Sequence, residues 1–170
     1  MQFLTDAEAA AWARVRSMLL PFGDRPERQP RLPSLRCSLP QSVYRLFAFS
    51  SYIASAITSG DSCLLWITQS GVWPSSENMH LYYRLRESYG DHRLLHEAPA
   101  HLCLKHEVDD LITLLQLALL FGWDAYLLPE SDHVAVFCSH DEFVECYSRS
   151  PDQLAEIKAG LARMNVEFHT

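Results

Sequence analysis

No run of residues in this 170-residue chain is apolar for long enough to cross a bilayer. The most apolar stretch, Leu111 to Phe121, is interrupted by Thr113 and Gln116 and stops far short of the ~20 residues a span needs. No membrane attachment is expected. The amino terminus, Met1-Gln2-Phe3-Leu4-Thr5-Asp6, lacks the basic then apolar layout of an export signal, so a cytoplasmic location is the expectation. Glycine is scarce: Gly23, Gly60, Gly71, Gly90, Gly122 and Gly160 stand apart as turn and cap residues, and none builds a phosphate-cradling loop. Nucleotide cofactors, and cofactors generally, are therefore not expected. The five cysteines, Cys37, Cys63, Cys103, Cys138 and Cys146, are odd in number and include no C-x-x-C pair, which excludes a disulfide framework and reads as buried, reduced thiols.

Positive charge is missing from one long tract. Residues 106–148 contain Glu107, Asp109, Asp110, Asp124, Glu130, Asp132, Asp141, Glu142 and Glu145 and no Lys or Arg. The front of the chain is the opposite, with ten Arg before residue 94, and the whole carries −7, the balance of an acidic bacterial-type protein. An acidic tract repels phosphate backbones, so nucleic acid is not expected as a partner, whereas a basic protein would be steered toward it.

What is present is the material of a compact domain. At 48% apolar and 21% charged residues, a chain of this length buries roughly two thirds of its unfolded surface without help from metal or disulfide. Thr5-Asp6-Ala7-Glu8 is a capping box, and the spacing of Ala9, Trp12, Val15 and Leu19 predicts a helix to about Leu20. Residues 21–40, with five prolines and four arginines, predict a basic surface loop. Residues 43–57 read as a helix, with strand as the competitor. Cys63–Thr68 reads as a central buried strand, and Pro74 opens a helix that ends at Gly90. A short strand near 101–104 precedes a buried helix from Glu107 to Phe121. Trp123–Leu128 and Val134–Cys138 predict an antiparallel hairpin. Ser139-His140-Asp141-Glu142 has capping-box spacing, so 140–147 reads as a short helix with strand as its alternative. Ser150-Pro151 opens a final amphipathic helix over Leu154, Ile157, Leu161 and Met164, and Val166–His169 adds an edge strand. The expected fold is a single α+β domain spanning 1–170, about five helices packed on a small, mainly antiparallel sheet.

Chemistry is thinly marked. Ser139-His140-Asp141 holds the residue types of a hydrolase triad, but consecutive side chains point apart and cannot align as nucleophile, base and orienter. Cys138 beside His140 sits at the end of an apolar strand, where a buried inert thiol is the default. His101, His106 and His140 could ligate a divalent ion, with Asp109 or Glu142 as general base of a metal-dependent hydrolase, though their spacing matches no metal motif. The leading expectation is a non-enzymatic protein-binding module, with an antidote to a basic toxin domain as one instance. Its expected contact residues are Asp109, Asp110, Asp124, Asp132, Asp141 and Glu142 around exposed Trp123 and Tyr126, the aromatics supplying anchors and the acids steering. A homodimer formed through the apolar 108–121 helix is a third possibility.

Overall fold

The computed structural model describes residues 1–15, 32–58, 60–71, 79–131 and 134–169. Eight strands form one open antiparallel sheet: β1 (Gln2–Leu4), β2 (Ser34–Ser38), β3 (Ser62–Gln69), β4 (Ala100–Leu104), β5 (Asp124–Pro129), β6 (Val134–Ser139), β7 (Phe143–Ser148) and β8 (Phe168–His169), in the spatial order β1-β4-β3-β5-β6-β7-β2-β8. Among the described residues five α-helices accompany it: α1 (Asp6–Val15), α2 (Val43–Ile57), α3 (Met79–Ser88), α4 (Val108–Leu120) and α5 (Pro151–Ala162). The α+β class is as expected, but the sheet is large rather than small. Among the described residues no helix is long and apolar enough to cross a membrane.

Strand β3 is central because its Cys63, Leu64 and Leu65 are all buried, a run that only a strand covered on both faces can carry. It separates β4 from β5, and α4 carries the chain between those two. Alternation divides the core in two. Leu65, Ile67, Cys103, Ala125 and Leu127 face the side on which residues of α2, α3, α4 and α5 collect, while Leu64, Ala100, Tyr126 and Leu128 face Ala9 and Ala13 of α1. Helix α4 buries Leu111, Leu114, Leu115, Leu117, Ala118 and Leu119. The apolar surface expected to form a homodimer is thus consumed in its own core, leaving Leu120 outside.

Three expectations change. The sequence around 139–147 forms a turn and then β7, because pairing with both β6 and β2 outweighs a two-turn helix: Val144 and Cys146 are buried between half-exposed Phe143, Glu145 and Tyr147, a period of two. Glu142 closes that turn with φ of 63°, a left-handed conformation incompatible with a helical first turn. Within the expected 21–40 loop, residues 34–38 form β2, where Cys37 is buried between exposed Arg36 and half-exposed Ser38. Residues 16–31, and with them the end of the first helix and the prolines from Pro21 to Pro30, lie outside the described residues, as do 72–78 and the Pro74 helix start. Finally, Gly160 is no cap but a position inside α5. A Cβ there would stand 1.9 Å from the Tyr52 hydroxyl of α2, so the two helices meet at this glycine. Gly122, at φ 61°, does terminate α4 as its position predicts.

Candidate functional site

The acidic tract does not collect in one place. Asp124 pairs with Gln69, Ser139 with Phe143 and Ser38 with Phe143, so the start of β5, the β6–β7 turn and the end of β2 share one end of the sheet. Leu104 pairs with Ser62, and Cys63 with Pro129, at the opposite end, where α4 begins with Asp109 and Asp110. Asp124, Asp141 and Glu142 are therefore a strand's length from Asp109, Asp110, Glu107 and Glu130. Several acids are engaged within the fold. Glu107 takes the Met1 ammonium and the Leu104 N–H, and Asp110 accepts from the Tyr89 hydroxyl. Glu130 accepts from Ser62 Oγ, and Arg36 bonds Glu145 at 2.8 Å. Asp132 lies outside the described residues.

The aromatic anchors move as well. Trp123, expected on the surface, is 1% exposed, its ring 5.3 Å from Tyr82 and 4.8 Å from Phe121. Tyr126 is 7% exposed and faces α1. Both sit on or beside β5, a strand buried along its whole length, and that surrounding covers them whatever their polarity.

At the Asp124 end, buried Asp124 accepts from the His140 backbone N–H at 2.8 Å and from the His140 ring Nδ1 at 2.9 Å. The bond to Asp124 raises the His140 pKa above its ordinary value and leaves Nε2 outward, 3.6 Å from Asp141. The carboxylate that orients His140 is thus sixteen residues away rather than next to it, a partner visible only once β5 and β6 pair. Ser139 Oγ accepts the Asp141 N–H, tying the turn rather than facing the imidazole. Cys138 is buried, and burial pushes its thiol up, so it offers no nucleophile.

His101 occupies the core instead. Its ring Nε2 lies 2.8 Å from the Tyr82 hydroxyl, which also accepts from Arg86 Nη1 at 2.7 Å. Burial, helped by the Arg86 charge, pushes the His101 pKa down to about 3. Tyr82 then donates to a neutral imidazole. Arg86 is fully buried, bonded to the Asp91 carboxylate at 3.0 Å and the Ala98 carbonyl at 3.0 Å, with the Phe3 ring 4.8 Å away. Arg93 closes the cluster on Asp91, and although burial opposes it these bonds hold the Asp91 pKa at about 2. Among the described residues Arg86 Nε finds no hydrogen-bond partner. The geometry of this network is that of a polar clamp joining α3, β4 and the 91–98 loop.

The three histidines weighed as metal ligands are not brought together. His101 lies mid-sheet, His106 is exposed beyond the end of β4, and His140 is at the other end. Among the described residues no group of three His, Cys, Asp or Glu side chains could hold a metal ion.

One surface was not foreseen. Val43, Tyr44 and Phe47 in the first turns of α2 are 71%, 83% and 54% exposed, and Leu120 at the end of α4 is 52% exposed. Helix α2 follows β2 and α4 leads into β5, so the start of one lies beside the end of the other, at the Asp141 and Glu142 end of the sheet. Val43, Leu46, Leu119, Leu120 and Glu142 line a shared recess of about 210 Å³. The sequence signal was there in the helical reading of 43–57, since Tyr44 and Phe47 lie on the face away from Leu46, Phe49 and Ile53. Compared with known proteins, the chain matches no family model, no curated protein and no solved structure.

Proposed function

We propose that this chain is a non-enzymatic protein-binding module that engages a basic partner, with an antidote to a basic toxin domain as one instance. The observation that carries the reading is that exposed Val43 and Leu120 line one recess with Glu142, while Tyr44 and Phe47 are exposed on the same first turns of α2. Exposed aromatic and aliphatic side chains in contiguity are what a binding surface needs for affinity, and neighbouring acids add on-rate and discrimination by charge. The chemistry available elsewhere argues in the same direction. Among the described residues no hydroxyl or thiol is hydrogen-bonded to the oriented imidazole of His140, and the buried His101 is a structural hydrogen-bond acceptor. The docking surface is smaller than the acidic tract and belongs to its turn at 139–142, with anchors supplied by α2 and α4 instead of Trp123 and Tyr126.

The test is cross-linking of the purified chain in extract of its native host, followed by identification of the cross-linked residues on both sides. Basic proteins linked near residues 43–47 and 141–142, lost when Asp141 and Glu142 are changed to Lys and lost at high salt, are the expected result. Links that persist in the Asp141→Lys, Glu142→Lys variant at unchanged yield would remove the reading.

A further inference from the structure

We infer that the recess between the first turn of α2 and the last turn of α4 receives an apolar side chain from a short basic segment of the partner, while a neighbouring cation of that segment pairs with Glu142. This rests on the protein-binding reading and adds where the partner seats and what kind of segment it offers.

Size is the first observation. At about 210 Å³ the recess is smaller than the ~300–1,000 Å³ typical of sites for small molecules, and its lining joins Val43, Leu46, Leu119 and Leu120 to the 39–42 segment, with its polar Gln41 and Ser42, and to Glu142. That volume and lining suit a single aliphatic or aromatic side chain. A single well-packed anchor with energetically quiet surroundings is how protein interfaces concentrate their affinity.

Charge fixes the sign of the occupant. Glu142 is exposed, takes part in no ion pair among the described residues, and stands one residue from exposed Asp141. Both belong to the tract from 106 to 148 that has no Lys or Arg. Arg45, the nearest cation in sequence on α2, lines not this recess but the adjoining one, which shares the 39–42 segment with it and adds Met164 and Glu167. The backbone holds Glu142 firmly: its N–H donates to the Ser139 carbonyl and its own carbonyl accepts from Leu39, at a φ of 63° that a glycine or asparagine would adopt with less strain. A second copy of the chain is a poor occupant, because each molecule carries −7 and a two-fold contact through this recess would set the two Glu142 carboxylates on the same interface.

The experiment titrates the chain with three synthetic amphipathic peptides, one of Lys and Leu, one of Lys and Ala, and one of Glu and Leu, and follows backbone amide shifts. The Lys/Leu peptide is expected to bind and to move the amides of Val43, Phe47, Leu120 and Glu142, with the other two at least about tenfold weaker. Leu120→Ser removes an exposed wall, and Glu142→Asn removes the charge while easing the turn, so both variants are expected to fold. Each should weaken the Lys/Leu peptide by about tenfold, whereas Asp109→Asn at the opposite end should change it less than about twofold. Binding of the Lys/Leu peptide that maps to Asp109 and Asp110 would overturn the recess and leave the protein-binding reading standing. A Glu/Leu peptide that binds as well as Lys/Leu would overturn the basic-partner reading itself. A sedimenting mass near twice 19.4 kDa that Leu120→Ser abolishes would give the recess to a second copy and overturn the inference.

Discussion

The ring of His101 stands wholly buried in the core, bonded to the Tyr82 hydroxyl. His101 was legible as a titratable residue among apolar neighbours, and a metal role and a core role both matched that pattern. The fold chose the core role by laying β4 beneath α3, so that Tyr82 and Arg86 reach it. The choice has a measurable sign. A histidine whose pKa falls from 6.5 to about 3 on folding remains neutral in the native state while the unfolded chain takes up a proton below 6.5. Stability from this group is full above pH 6.5 and declines as pH falls toward about 3. Between pH 6.5 and 5 the loss comes to about 2 kcal/mol. Urea unfolding of the wild type and of His101→Gln at both pH values should show that extra loss only in the wild type, since glutamine can accept from Tyr82 and does not titrate. Asp91 acts lower down: held at about 2, it contributes stability present above its ordinary 3.8 and lost as pH falls through about 2. His140 runs the other way, its raised pKa favouring the fold at low pH and fading as pH rises through that value.

Elements were legible where one periodicity dominated over many residues. Helices α4 and α5 and the β5–β6 pair carry their burial pattern openly in Leu111–Leu119, in Leu154, Ile157 and Leu161, and in Val134 and Val136. Short segments were decided by partners distant in sequence. Ser139 to Tyr147 satisfies a helical capping rule and a strand alternation equally well, and its edges on both sides bond to β6 and β2, contacts that no local window contains. Strand β2 was hidden for the same reason, its five residues outweighed by the prolines around them. Helix packing supplies a test at this scale. In α5, exchanging Gly160 for Ala would ordinarily favour the helix by up to about 1 kcal/mol. Here the new methyl would overlap the Tyr52 hydroxyl, which donates to the Glu156 and Ile157 carbonyls, and the ring has to give way. Gly160→Ala is expected to destabilise the protein by about 1–3 kcal/mol, read from its urea midpoint, and Tyr52→Phe is not expected to recover that loss, because the ring carbons Cζ and Cε2 would still stand 2.1 and 2.5 Å from the new Cβ.

Across the whole molecule the sheet sets the distances that matter. It places the two acid groups at opposite ends and the five cysteines on the face that the helices cover. Cys63 lies directly opposite Cys103, and Cys37, Cys138 and Cys146 surround Val144. All five are free and buried, and burial pushes the Cys37 and Cys103 thiols up to about 12. A thiol-specific reagent should therefore label the native chain slowly at all five positions and label every one of them promptly in denaturant. Rapid stoichiometric labelling of the native protein would contradict this packing.

The amino-acid sequence by itself determined the α+β class, the buried helix at 108–120 and the hairpin at its exit, because each follows from local periodicity and residue type. The tertiary structure alone decided which face each side chain occupies. It covered Trp123 and Tyr126, gave His140 a carboxylate sixteen residues away, parted the acids by the length of a strand, and left Val43, Phe47 and Leu120 in the open. Burial and proximity depend on which strands become neighbours, and that is settled by packing over the whole chain.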